Sequence, residues 1–175
     1  MNEEVDFPSS GVYFKNAGLV LLRPYFPMLF ERLGLTKENV FINKDTQIKA
    51  VHYLQFLVSG QSQTEEHLIF LNKILCGLEP TTPVPDGIEI TPGEEVLMNG
   101  LLEAAIAQWS ILGSTSIEGY RVSFLNREGK LTEQGDFWEL KVNQKAFDML
   151  LDQLPYSYSP IKLPWMKKQM NVIWR

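Results

Sequence analysis

Two histidines and one cysteine are the only side chains in this sequence that could serve both as nucleophile or proton carrier and as soft metal ligand: His52, His67 and Cys76. Zinc sites draw their ligands from closely paired cysteines and histidines, and these three spacings match no such pattern. A Cys–His nucleophile pair would have to be assembled by tertiary contact. Simpler roles suffice. His52 falls on the polar stripe of a helix, His67 follows Glu65 and Glu66 in a first helical turn, and Cys76 ends an apolar helix as a small hydrophobe. The carboxylate pairs Glu65–Glu66 and Glu94–Glu95 also open helices, where negative charge offsets the helix dipole. Glu103 and Glu118 stand alone. The sequence has no G-x-G-x-x-G, Walker loop, G-x-S-x-G, H-E-x-x-H or Cys-x-x-Cys. These residues therefore predict no catalytic, cofactor-binding or metal site.

Four tryptophans could stack on a ligand or a partner. Trp109, Trp138 and Trp174 fall in amphipathic elements where core packing explains them. Trp165 stands in a turn between Pro164 and Met166 and is expected to be the most exposed. Pro164, Trp165 and Met166 are the candidate protein contact, since Trp and Met are enriched at interfaces.

The elements that would position these residues are mostly helical at first. Pro8 to Gly11 form a turn within an extended lead-in over 1–15. A helix is expected from about Pro24 to Leu33, stopped by Gly34. Asp45 to Ser59 is the clearest helix, with Asp45 as N-cap and Gly60 as terminator. Lys49, His52, Gln55 and Ser59 form its narrow polar stripe. The rest is apolar, which places this helix near the centre of the fold. A third helix is expected over Thr64 to Cys76, with Leu68, Leu71, Ile74 and Leu75 facing inward. Prolines at 80, 83 and 85 make Leu78 to Ile90 a surface loop. Thr91, Pro92 and Glu94 then spell a capping box with proline at the first helical position. That helix runs to about Trp109, and Ser116 caps another through Leu125.

The pattern then changes. Asn126 to Asp136 reads as polar and turn-rich. Phe137 to Val142 reads as a strand, Asn143 to Leu154 as a helix, and Ser157 to Leu163 and Met170 to Trp174 as strands. Period-two alternation over the last twenty residues marks a terminus built into a sheet. The expected fold class is α+β: a mostly helical domain over 16–175 with a small C-terminal β-sheet.

Composition narrows the function classes. The chain has 175 residues, which by length is one domain. If compact, its radius of gyration is about 16 Å. Its net charge is −5, with 21 acidic and 16 basic residues. That argues against the basic footprint of a nucleic-acid binder and against an anionic membrane surface as partner. No apolar run approaches the length of a membrane span, and the acidic start MNEEVDFPSSG lacks the form of a signal peptide. One cysteine permits no internal disulfide, which fits a reducing compartment.

Six blocks carry a resemblance: NAGLVLLRPYFPMLFERLGL (16–35), KAVHYL (49–54), KILCGL (73–78), LLEAAIAQW (101–109), FLNREGKL (124–131) and IKLPWM (161–166). In this order they resemble the C-terminal region of the tape measure proteins of contractile injection systems. These systems are phage-tail-like bacterial particles that drive a tube through a contracting sheath. The resemblance implies a non-enzymatic structural component acting in tube and sheath assembly or length control. The implied partners are other particle proteins of the tube, baseplate or cap, with no nucleic acid, cofactor or membrane insertion. The implied location is cytoplasmic during assembly and then with the particle. A ruler must span its object. All 175 residues in one helix would reach only about 260 Å, so the expectation is a terminal domain or a short relative with an initiation or capping role. The alternative is an adaptor module unrelated to particles.

Overall fold

Strand β1 (Val12–Phe14) is the first strand of the described chain and pairs along one side of a later hairpin. The computed structural model describes residue 8 and residues 10–175. Most of the lead-in, residues 1–7 and 9, lies outside the described residues. Gly11 N donates to Pro8 O at 2.9 Å, which closes the expected turn.

The apolar stretch after β1 is a 3-10 helix over Ala17–Tyr25 rather than a plain segment, and α1 (Phe26–Arg32) continues from it. Helical structure therefore starts well before Pro24, which lies inside the 3-10 run. Gly18 is required here by close approach. A Cβ at that position would fall 1.7 Å from Phe124 O. A two-stranded hairpin follows, β2 (Thr36–Lys37) and β3 (Val40–Phe41), turned by Glu38 and Asn39 with φ of 52° and 63°. Positive φ at both turn residues gives the twist that a two-residue hairpin needs.

Helix α2 (Lys44–Ser59) is the centre of the helical layer, with Ala50 to Val58 all buried. Its N-cap is Asn43, not Asp45. Asn43 Oδ1 accepts from Thr46 N at 2.9 Å, and Thr46 Oγ1 accepts from Asn43 N at 3.2 Å. The expected polar stripe is partly internal, since His52 and Gln55 are buried. Gln55 belongs to a buried amide trio. Asn16 Nδ2 donates to Asn72 Oδ1 at 2.7 Å and to Gln55 Oε1 at 3.0 Å, while Asn72 Nδ2 donates to Val51 O at 3.0 Å. The trio joins the chain after β1 to α2 and to the next helix. Buried polar groups need such partners and fix relative placement in return.

The expected helix over Thr64 to Cys76 is broken. A 3-10 turn covers Glu66–Leu68, and α3 spans only Phe70–Leu75. The reason is competition: Thr64 N donates to Asp86 O and Ile88 N to Ser62 O, so the segment before the turn pairs with the proline-rich loop. Leu68 is exposed rather than core, whereas Leu71, Ile74 and Leu75 are buried. Helix α4 (Pro92–Gln108) begins with the reciprocal Thr91–Glu94 capping box read from the sequence. Short α5 (Ile117–Tyr120) is capped by Ser116 and runs into a π turn over Arg121–Leu125.

Residues 126–136 are not simply loop. They contain β4 (Gly129–Gln134), which pairs antiparallel with β5 (Phe137–Val142) and with β1. Leu131 is the one strongly apolar residue of β4, too little to show alternation. The expected helix over Asn143 to Leu154 shrinks to a 3-10 turn at Asp148–Gln153, with Phe147 partly exposed. The expected strand over Ser157 to Leu163 is a single bridge between Ile161 and Met170. The last strand, β6 (Gln169–Ile173), pairs parallel to β5. The sheet order is β1-β4-β5-β6. Leu131, Trp138, Leu140, Val142, Met170 and Val172 join the same apolar cluster as α2 and α4. The architecture is α+β.

Candidate functional site

The candidate contact turn over 164–166 is built onto the helical layer. Trp165 Nε1 donates to Leu75 O at 2.7 Å, satisfying a carbonyl at the C-terminal end of α3. Its ring packs between Phe30 and Phe41, with centroids 5.2 and 5.1 Å away. Gly77 lets the turn approach: with φ of +75° it adopts a left-handed conformation, and a Cβ there would sit 2.3 Å from Trp165 O. Lys162 Nζ donates to Met166 O at 2.7 Å, and Lys167 pairs with Glu79 at 2.7 Å.

The three candidate residues therefore differ. Pro164 is exposed, Trp165 is half-buried, and Met166 is buried at 4% exposure. The expectation of an exposed Trp–Met surface is corrected for Met166, whose side chain belongs to the core. An Nε1 donor and two aromatic neighbours hold Trp165 against the body of the molecule.

A second constellation went unrecognised in the sequence. Arg127 grips Asp148 with two nitrogens, at 2.7 and 2.9 Å. The same carboxylate accepts from Lys145 N at 2.9 Å and from Trp174 Nε1 at 3.0 Å. Arg127 also donates to Asn143 O and Ser123 O, and its guanidinium lies 5.1 Å from the centre of the Trp174 ring. Both charged groups are buried. Burial raises the Asp148 pKa, but the Arg127, Lys145 N and Trp174 hydrogen bonds outweigh it and hold the carboxyl below its ordinary value. The knot ties the π turn, the end of β5 and the C-terminal strand together. A lone acid and a lone base far apart in sequence gave no signal of it.

The side chains with chemical capacity are occupied singly. His52 Nε2 donates to Pro85 O, which fixes its tautomer. His67 is exposed beside Glu65 at 3.4 Å. Cys76 is buried, and burial pushes its thiol well above the ordinary value, away from the reactive thiolate. Glu66 binds Lys73 at 2.6 Å and accepts from Val84 N at 3.2 Å, clamping the proline-rich loop to α3. Glu94 accepts from Thr91 N and from Tyr53 OH, so its carboxylate serves a helix cap. Among the described residues, no group of three or more His, Cys, Asp or Glu could hold a metal ion. Among them also, no helix is long and apolar enough to cross a membrane.

The family model described as contractile injection system tape measure protein matches residues 3–174. The chain belongs to this family. No curated protein and no solved structure matches it. The tape measure family is a family of structural proteins, so membership places this protein with the injection particle and implies contact with other particle components. The match runs through the docked turn, the buried amide trio and the Arg127–Asp148 knot.

Proposed function

We propose that this tape measure family member is a non-enzymatic assembly component. It acts in tube and sheath assembly or length control, by binding tube, baseplate or cap proteins. The observation that carries the reading is the family match across nearly the whole chain. The folded dimensions favour a docking role for these residues over that of an extended ruler. The longest helix, α4, has 17 residues, about 26 Å at the helical rise. The hydrogen bonds that engage His52, Glu66 and Glu94 and the burial of Cys76 support the non-enzymatic reading. Assembly in the cytoplasm follows from the same reading.

Pro164 and the exposed part of Trp165 are the proposed contact at the turn, with Met166 supporting them from within. Pro164 is exposed, so its replacement by Glu leaves the core untouched. The test removes the coding sequence from the source bacterium and counts particles by electron microscopy. Few particles, or tubes of scattered length, are expected. Normal particle number and length would sink the assembly reading. Restoring the protein as Pro164→Glu should give a folded protein that co-purifies poorly with particles. Normal co-purification would remove the turn from the contact surface.

A further inference from the structure

We propose that the cleft at the open end of the β4–β5 hairpin docks a carboxylate-rich segment of a partner protein. The cleft holds about 500 Å³ and is walled by three passages of chain: Lys15 after β1, Arg127 and Glu128 before β4, and Asn143 to Lys145 after β5. Every passage is pinned. Phe14 pairs with Gly129, Ala17 N donates to Arg127 O at 2.9 Å, and Asn143 N donates to Glu128 O at 2.9 Å. Lys145 N donates to Asp148. A ligand entering here orders no backbone, so little of its binding free energy goes into organising the site.

The charge in the cleft is unbalanced. Asp148 already neutralises Arg127. Lys15 and Lys145 are exposed, and among the described residues neither forms an ion pair. Glu128 is the one carboxylate in the wall, and it accepts from Asn143 Nδ2 at 3.3 Å. One position along the hairpin, Lys130 and Lys141 stand directly opposite each other. Like charges in that position destabilise a sheet. Lys130 rests over the Tyr13 ring, and Lys141 lies 3.9 Å from Glu139. With Arg127 neutralised by Asp148, the cleft wall carries two exposed lysines against the one carboxylate of Glu128, in a protein of net charge −5. Carboxylates of a partner would supply the missing counter-charge. A polyphosphate chain fits less well, because the cations form no extended stripe along which its backbone could lie. This names the chemistry of one partner contact and rests on the assembly reading only in taking the partner to be a protein.

The test is an NMR titration of the whole protein with octaglutamate at low salt, with octaglutamine and an oligothymidylate as controls. Octaglutamate should shift the amide signals of Glu128, Gln144 and Lys145 saturably, and salt should weaken the effect. Octaglutamine should not. In the Lys15→Gln/Lys145→Gln double variant, binding should weaken about tenfold, the loss of two modest charge contacts. Both lysines are exposed, so an unchanged thermal midpoint is expected and confirms that the variant is folded. No shift with octaglutamate overturns the proposal, as does equal binding by the double variant. Binding of oligothymidylate as strong as that of octaglutamate also overturns it, by making the site nonspecific for anionic chains. Co-purification with particles separates this from the assembly reading. A protein that joins particles but ignores octaglutamate loses the cleft alone. One that binds octaglutamate but never joins particles loses the assembly role alone.

Discussion

The Asp148 carboxylate receives Arg127, Lys145 N and Trp174 Nε1 inside the protein, and its replacement should be costly. Asp148→Ala leaves the Arg127 charge buried and unpaired, a loss expected to be about 3–5 kcal/mol by chemical denaturation. A loss under about 1 kcal/mol would mean that water reaches Arg127 and the knot is not a buried pair. Asp148 also sets a pH dependence. Its folded pKa lies below the unfolded value, so its stabilisation is complete above the unfolded carboxylate range, about pH 4. It is lost as pH falls through the lower folded value. Glu66 acts in the same direction, held down chiefly by the Lys73 hydrogen bond. Thermal midpoints should therefore fall below about pH 4, and Asp148→Asn should flatten that fall. At the turn, Trp165→Ala removes two ring contacts and leaves Leu75 O without its donor. A destabilisation of about 1–3 kcal/mol is expected from the half-buried ring and the lost hydrogen bond. An unchanged midpoint would show that the ring adds nothing to the core.

Helices α2 and α4 carry the apolar core, and their pattern was legible from composition alone. Leu54 is fully buried on α2 and Leu101 is nearly so on α4. Truncating either to Ala should cost about 2–5 kcal/mol. Changes under about 0.5 kcal/mol at both sites would place the core elsewhere. The start of α4 was readable because Thr91, Pro92 and Glu94 act within one turn of chain. The C-terminal strand was readable for a similar reason, since β6 alternates Met170 and Val172 inward. The extents of helix α3 and of the turn after β5 are not written locally, because both depend on partners distant in sequence. Asp86 O draws the Thr64 amide into the loop, and Asp148 is held by Arg127 and Trp174.

Across the whole molecule, the C-terminal segment is tied to several separate elements. β6 pairs with β5, Trp174 reaches Asp148, Trp165 reaches α3, and Tyr156 OH donates to Leu21 O at 2.5 Å. Deleting residues 156–175 should abolish cooperative unfolding and leave a molten or aggregating chain. A truncated protein with a sharp thermal transition would show that the sheet does not need its last strand.

The sequence by itself determined the α+β class, the two central helices, the caps at Thr91 and Ser116, the strands β5 and β6 and the family blocks. Each is written in local spacing or composition, where propensity and periodicity act within a few residues. Only the tertiary structure decided that β4 is a strand, that Met166 is core, and that Asn16, Gln55 and Asn72 meet. It alone paired Arg127 with Asp148 and gathered Lys15 with Lys145 around one cleft. Those outcomes join residues far apart in the chain, and one sequence carries no local mark of which distant groups will satisfy a buried charge or amide.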